Sequence, residues 1–351
     1  MVIGRARALV PCLALALCAG ERAGAATARA PGPLTARQLG VIINDSDPLS
    51  AQIGAYYIKR RSIPAENVVR LHISPTPQLG EAEFRRLNLE VDAALPARVQ
   101  ALALTWAVPF KVDCMSITSA FAFGFDQARC AEGCKPTPPS PYFDSSSRAP
   151  FTEFRIRPAM SLAALSLAEA RALIDRGIAS DHSFPAGTAY LLRTSDAARS
   201  SRAPGFVAAP ALAGPTLRVQ ILNANAIDHR EDVLFYFTGI VDVPQLATNH
   251  FLPGAIGDHL TSFGGQLIGG SQMSSLRWLQ AGATGSYGTV VEPCSYPSKF
   301  PVPAVVMKHY LAGETLIEAY WKSVLMPSQG IFIGEPLAAP FAARRTGSTV
   351  H

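Results

Sequence analysis

Cys294 ends the stretch GATGSYGTVVEPC, with Glu292 two residues before it, and Asp258 and His259 stand together in LPGAIGDHL. A thiolate, an imidazole that takes its proton and a carboxylate that orients the imidazole are the parts of a cysteine hydrolase. Cys294, His259 and Asp258 therefore form one candidate catalytic set, with Cys114 as a second thiol at a strand end. The same sulfurs have another chemistry, oxidation. Cys114, Cys130, Cys134 and Cys294 are the four cysteines left once the N-terminal Cys12 and Cys18 are set aside. Four cysteines allow two bridges and three connectivities. The reading adopted is the oxidised one, in which Cys294 is bridged, to Cys114 for example, and mass spectrometry of the unreduced protein finds no free thiol. Asp258 is then a first-turn acid favoured by a helix dipole, and His259 a surface or core-edge residue. The pair in CAEGC, Cys130 and Cys134, lacks the two further ligands that a zinc site needs, so no metal is expected, and a disulfide involving the pair is favoured. No cofactor motif is found.

Ligands of open α/β sheets bind beyond the carboxyl ends of the strands. That rule adds the polar residues just past each strand-like run as binding candidates: Asp45, Asp113, Asp242, Ser271, Gln272 and Glu292. Ser286 lies in TGSYG, which lacks the first glycine of a nucleophile elbow and precedes its strand, so it is set aside. Gly264-Gly265 and Gly269-Gly270 fit neither dinucleotide nor P-loop spacing.

Positioning these residues requires a scaffold, and the pattern supplies one. Apolar strand-like runs fall at 39–44, 67–73, 101–107, 188–193, 233–237, 266–268, 287–291 and 330–334. Helical spacing falls at 48–61, 80–94, 160–176, 255–263, 273–280, 302–311 and 315–324, with Asp47 and Pro48 suited to start the first helix. Residues 195–230 carry no clear pattern. Alternating strands and helices predict an α/β domain over 37–340 with a central, mostly parallel sheet and helices on both faces. Residues 110–158 break the alternation and hold three cysteines, which marks a cysteine-containing insertion pinned by a disulfide over the sheet's edge or a cleft. If the sheet is parallel throughout, every candidate loop lies along one rim.

Arg5 and Arg7 precede an apolar run at 8–19 and an A-x-A site, the pattern of a signal peptide over 1–25, with cleavage at Ala25 or Ala28. A leader follows at 26–36, and 341–351 form a C-terminal tail. The run of about twelve residues is too short to span a bilayer, which takes about 20, so no transmembrane segment is expected in the mature chain. Cleavage removes Arg5, Arg7, Arg22 and Glu21, leaving 28 basic against 25 acidic residues, a net +3. The charges are scattered, and without a basic stripe nucleic acid is not an expected partner. The expected location is the periplasm or the exterior.

The stretches LPGAIGDHLTSFGG, QMSSLRWLQAGATGSYGTVVEPC, YLAGETLIEAYWKSV and GIFIGEPLAAP, together with 101–126, resemble a family of exported bacterial proteins with no assigned activity. A more distant likeness is to gingipain-type, caspase-fold cysteine peptidases. Residues 233–239 correspond to their strand before a Gly-His-Gly motif, 282–288 to a later strand, 313–319 to a helix, and Gly334-Glu335-Pro336 stands where they close on GDP. Thr238-Gly239-Ile240 replaces the histidine-bearing motif, and Ser271-Gln272 lies near the place of the cysteine. The likeness thus implies a caspase-like fold without that family's dyad. Two functions are expected from these features: a noncatalytic envelope protein that binds a peptide, a glycan or a partner protein at the strand-end cleft, and, as the alternative, a cysteine-dependent, peptidase-like hydrolase.

Overall fold

The structure is a computed structural model and describes residues 1–4, 32–131, 134–294 and 296–343. The expected signal peptide and leader fall mainly, and the end of the C-terminal tail wholly, outside the described residues. The chain divides into two units, Met1–Pro31 and Gly32–His351, and the fold belongs to the second.

It opens as its sequence dictates. β1 (Leu39–Asn44) is buried at every position. Its side chains alternate between two cores, Val41 and Ile43 in one and Ile42 in the other, as strand pleating requires. Asp47 caps α1 (Pro48–Arg61) by accepting the Leu49 N–H, Pro48 holds the first helical position, and Ser62 ends the helix in the left-handed region. β2 (Val68–Leu71), β3 (Gln78–Leu79), α2 (Glu81–Ala94) and β4 (Ala101–Leu104) follow.

The insertion then contributes β5 (Lys111–Val112), β6 (Met115–Ser116), α3 (Ile117–Phe123) and α4 (Pro150–Phe154). β3, β5 and β6 make a small second sheet. The insertion reaches the middle of the main sheet as well as its margin. α3 packs on β7 (Ala159–Ser161) and β13 (Gly330–Gly334), and the Ser116 hydroxyl bonds the Gly330 carbonyl at 2.5 Å.

Downstream the structure departs from three expectations and fills one unpatterned stretch. Residues 159–161 form β7 where a helix from 160 was expected, and α5 (Leu167–Ser180) starts later because Ser166 caps it at the Glu169 N–H. After β8 (Gly187–Arg193), the unpatterned stretch holds a long 3-10 segment, Arg199–Leu212, and β9 (Leu217–Asn223). β10 (Val233–Thr238) precedes β11 (Phe251–His259), which was expected to be a helix over 255–263. A strand enclosed on both faces has no period-2 signal, so only its length and neighbours identify it. Residues 266–268 lie in a turn and form no strand. α6 (Leu276–Gln280), β12 (Gly285–Thr289), α7 (Pro303–Leu311) and α8 (Leu316–Lys322) complete the chain before β13.

The ten main strands run in the order β2-β1-β4-β7-β13-β12-β11-β10-β8-β9. Neighbours from β2 to β13 are parallel, neighbours from β12 to β9 are parallel, and β12 pairs β13 antiparallel from Gly285↔Gly334 to Thr289↔Gly330. The sheet is two five-stranded parallel halves laid head to tail. The expectation of a single rim is therefore wrong: the carboxyl ends of one half lie beside the amino ends of the other.

The chain changes sense twice, from β7 to β8 across α5 and from β12 to β13 across a helix pair. At the second change α7 and α8 form a hairpin. The Val302 N–H bonds the Ser323 carbonyl and the Met326 N–H bonds the Ser298 carbonyl, so the chain comes back to the end it left and β13 runs against β12. Helices cover both faces. α1, α7 and α8 pack into one core; α2, α3 and α6 pack into the others.

Candidate functional site

Asp45 follows β1, at the edge away from the carboxyl ends of β10, β11 and β12, and is held by Arg70, Nη2 to Oδ1 at 2.8 Å. Asp113 sits in the insertion with a positive φ of 44° and accepts from Gln78 Nε2 at 2.9 Å. Neither joins the other candidates.

Glu292 and Cys294 explain one another locally. The Glu292 carboxylate accepts the Cys294 N–H at 2.7 Å, and Cys294 takes a φ of 59°, so the acid closes a tight turn after β12. The Cys294 sulfur is bonded to Cys134, and Cys114 is bonded to Cys130. Both differ from the Cys114–Cys294 pairing offered as an example. Cys130 and Cys134 are each oxidised, but not to one another. A disulfide sulfur carries no thiolate, so Cys294 and Cys114 are not poised as nucleophiles here.

His259 is not poised as a base. It is 1 % exposed on β11, where the Trp278 indole N–H donates to its Nδ1 at 2.9 Å and its Nε2 donates to the Met273 carbonyl at 3.1 Å. Those partners fix the neutral tautomer, and burial pushes the imidazole down to about 3. Asp258 points to the other face of the strand. It is fully buried against Arg202, and the Tyr320 hydroxyl donates to its Oδ2 at 3.2 Å. Burial raises its carboxyl and Arg202 opposes that rise. Asp258 does not orient His259. Cys294, Asp258 and His259 sit in three separate arrangements: a bridged turn, a buried ion pair, and an imidazole bonded to Trp278 and Met273.

Three other candidates do converge. Asp242 follows β10, and Ser271 and Gln272 lie in the long loop after β11. Together with Val241, Met273 and Arg277 they line an open cleft of about 530 Å³. Its wall is organised by backbone and side-chain bonds. The Met273 N–H bonds the Val241 carbonyl at 3.3 Å, and the Val243 N–H reaches Met273 Sδ at 3.4 Å. Gln272 Oε1 accepts from the Thr261 hydroxyl at 2.7 Å and the Phe263 N–H at 2.9 Å, which fixes the loop and leaves the Gln272 amide NH₂ as a donor.

Below, the loop lies against β12. A Cβ on Gly288 would come 2.4 Å from the Gly264 carbonyl carbon, so only glycine permits this approach. The rim carries Asp242, Ser271 and Arg277 as exposed side chains. The cleft therefore presents one carboxylate, one guanidinium, a hydroxyl and an amide to solvent.

The strand-end rule found Asp242; Ser271 and Gln272 were chosen as the residues beyond a strand at 266–268 that does not form, and the long loop after β11 carries them to the cleft. The rule missed Arg277, the second residue of α6, directly after the loop. A cation in the helix following a polar strand-end loop was the available signal. No protein-family model, no curated protein and no solved structure matches this chain.

Proposed function

We propose that the protein is a noncatalytic binding protein of the cell envelope, and that the cleft between β10 and the loop after β11 holds an extended peptide segment. The observation that carries this reading is the meeting of Asp242, Ser271, Gln272 and Arg277 in one open groove. Neither Asp242 nor Arg277 enters an ion pair among the described residues. A peptide offers partners for such a groove: backbone donors and acceptors, and charges opposite to those of Asp242 and Arg277. The neighbouring sulfurs and imidazole are engaged in structure, which supports binding over cleavage.

The likeness to gingipain-type peptidases points the same way. Their histidine-bearing and cysteine-bearing loops follow the strands that here lead into Thr238-Gly239-Ile240 and Ser271-Gln272. A groove that keeps those walls without the dyad would bind and not cut. The disulfides and the N-terminal pattern Arg5 to Ala25 suit an oxidising compartment.

The test is fluorescence anisotropy with a pool of short labelled peptides carrying free carboxyl termini. We expect saturable binding that Arg277→Glu weakens about tenfold or more, the worth of one charge-assisted hydrogen bond. Asp242→Lys should shift preference among peptides of different charge. Absence of binding to the pool, or an Arg277→Glu variant that binds as well as the parent, would remove the reading.

A further inference from the structure

On the other side of α6 lies a guanidinium with no ion-pair partner among the described residues. Arg176 of α5 is partly buried, and its Nη2 donates to the carbonyls of Leu279 at 3.1 Å and Ala283 at 2.7 Å. Its Nε is enclosed and has no partner. Burial alone holds this side chain down to about 10, with no carboxylate offsetting it. Arginine does not shed its proton at neutral pH, so the uncompensated charge persists.

Beside it is a cavity of about 90 Å³ between α5 and α6, walled largely by Ala163, Ala172, Leu173, Leu276 and Leu279. Glu169 also borders the space. Its two oxygens are already taken, one by Gln280 Nε2 at 3.2 Å and the other by the Leu165 N–H at 2.9 Å. The cavity thus has Arg176 at one corner, the Glu169 carboxylate at another and hydrocarbon along the rest of its wall. At about 30 Å³ for each water in the liquid, it has the volume of roughly three waters or one small organic molecule.

We infer that this cavity is a binding site for a short aliphatic monocarboxylate, with the oxyanion on Arg176 and the hydrocarbon end against Leu173, Leu276 and Leu279. A carboxylate supplies the missing charge and acceptor, and its alkyl end removes apolar wall from water. Water alone would leave the charge unpaired and the leucine walls wet. The site shares no residue with the peptide cleft, so either can fail without the other.

The experiment titrates sodium propionate into the full-length mature protein in chloride-free buffer, followed by amide chemical shifts and by Tm. The expected result is saturation, with shifts at Leu173, Leu276 and Leu279 and a rise in Tm. Arg176→Gln should weaken binding about tenfold or more. Ala172→Leu, which fills the cavity from a helix position that tolerates leucine, should abolish binding while the circular dichroism spectrum stays that of the parent. Three results would each overturn the site: no saturation, an undiminished Arg176→Gln variant, or sodium chloride reproducing the same shifts at the same affinity.

Discussion

Asp258→Ala should destabilise the protein by about 3–5 kcal/mol, the cost of leaving one partner of a buried ion pair without the other. Asp258 is fully buried, and Arg202 is 5 % exposed. Arg202 joins three separate parts of the fold: its Nη2 donates to the Thr238 carbonyl at 2.8 Å and the Asp258 carbonyl at 3.2 Å, and its Nη1 donates to the Pro301 carbonyl at 3.3 Å. Those carbonyls cannot neutralise it. Removing the carboxylate strands a cation beneath the ends of β10 and β11, where the cleft wall begins. The effect belongs to charge and not to volume. Asp258→Asn should therefore also be strongly destabilising, and Asp258→Asn with Arg202→Met should be far more stable than the sum of the two single changes. Urea unfolding of the four proteins measures this as a double-mutant cycle. Simple additivity would show that the pair is not the source of the cost.

The second large effect concerns the disulfides. Cys134–Cys294 closes a loop with a sequence separation of 160, and Cys114–Cys130 closes one of 16. In the chain-entropy account the longer loop is worth about 5 kcal/mol and the shorter about 3 kcal/mol. Cys134→Ser with Cys294→Ser should lower the denaturant midpoint more than Cys114→Ser with Cys130→Ser. Losing the long bridge also releases the turn that Glu292 closes at the end of β12. Equal losses, or a larger loss from the short loop, would show that native-state contacts decide the order.

What could be read from the sequence follows from which signals are local. The first strand and helix were legible to the residue because Asp47, Pro48 and the apolar run 39–44 act on their own neighbours. β11 was not, because GAIGDH carries glycines and a polar pair, and its strand identity comes from β10 and β12 on either side. The disulfide pairing was closed to sequence reasoning, since spacing does not choose among three connectivities.

The antiparallel junction was half legible. Two consecutive helices at 302–311 and 315–324 were expected before the last strand, and such a pair brings the chain back in the opposite sense. The earlier reversal, from β7 to β8 across α5, carried no such signal, and it puts Asp45 on the opposite rim from Asp242. Three cleft residues still survived: Asp242 because it follows β10, and Ser271 and Gln272 because the loop after β11, in the same parallel half, brings them there although the expected strand at 266–268 does not form. Arg277 and Arg176 were missed because helix-borne cations usually face solvent, and only the packing of α6 decides which of them meets a cavity.

The groove lies in a protein whose candidate catalytic groups are locked in structure. Alkylation of the purified protein under denaturing, non-reducing conditions, followed by peptide mass mapping, tests this most directly. The predicted result is no label on Cys114, Cys130, Cys134 or Cys294, with linked peptides joining Cys114 to Cys130 and Cys134 to Cys294. Label on Cys294 in the protein as isolated, with a free Cys134 beside it, would return a thiol to the end of β12 and contradict the noncatalytic reading.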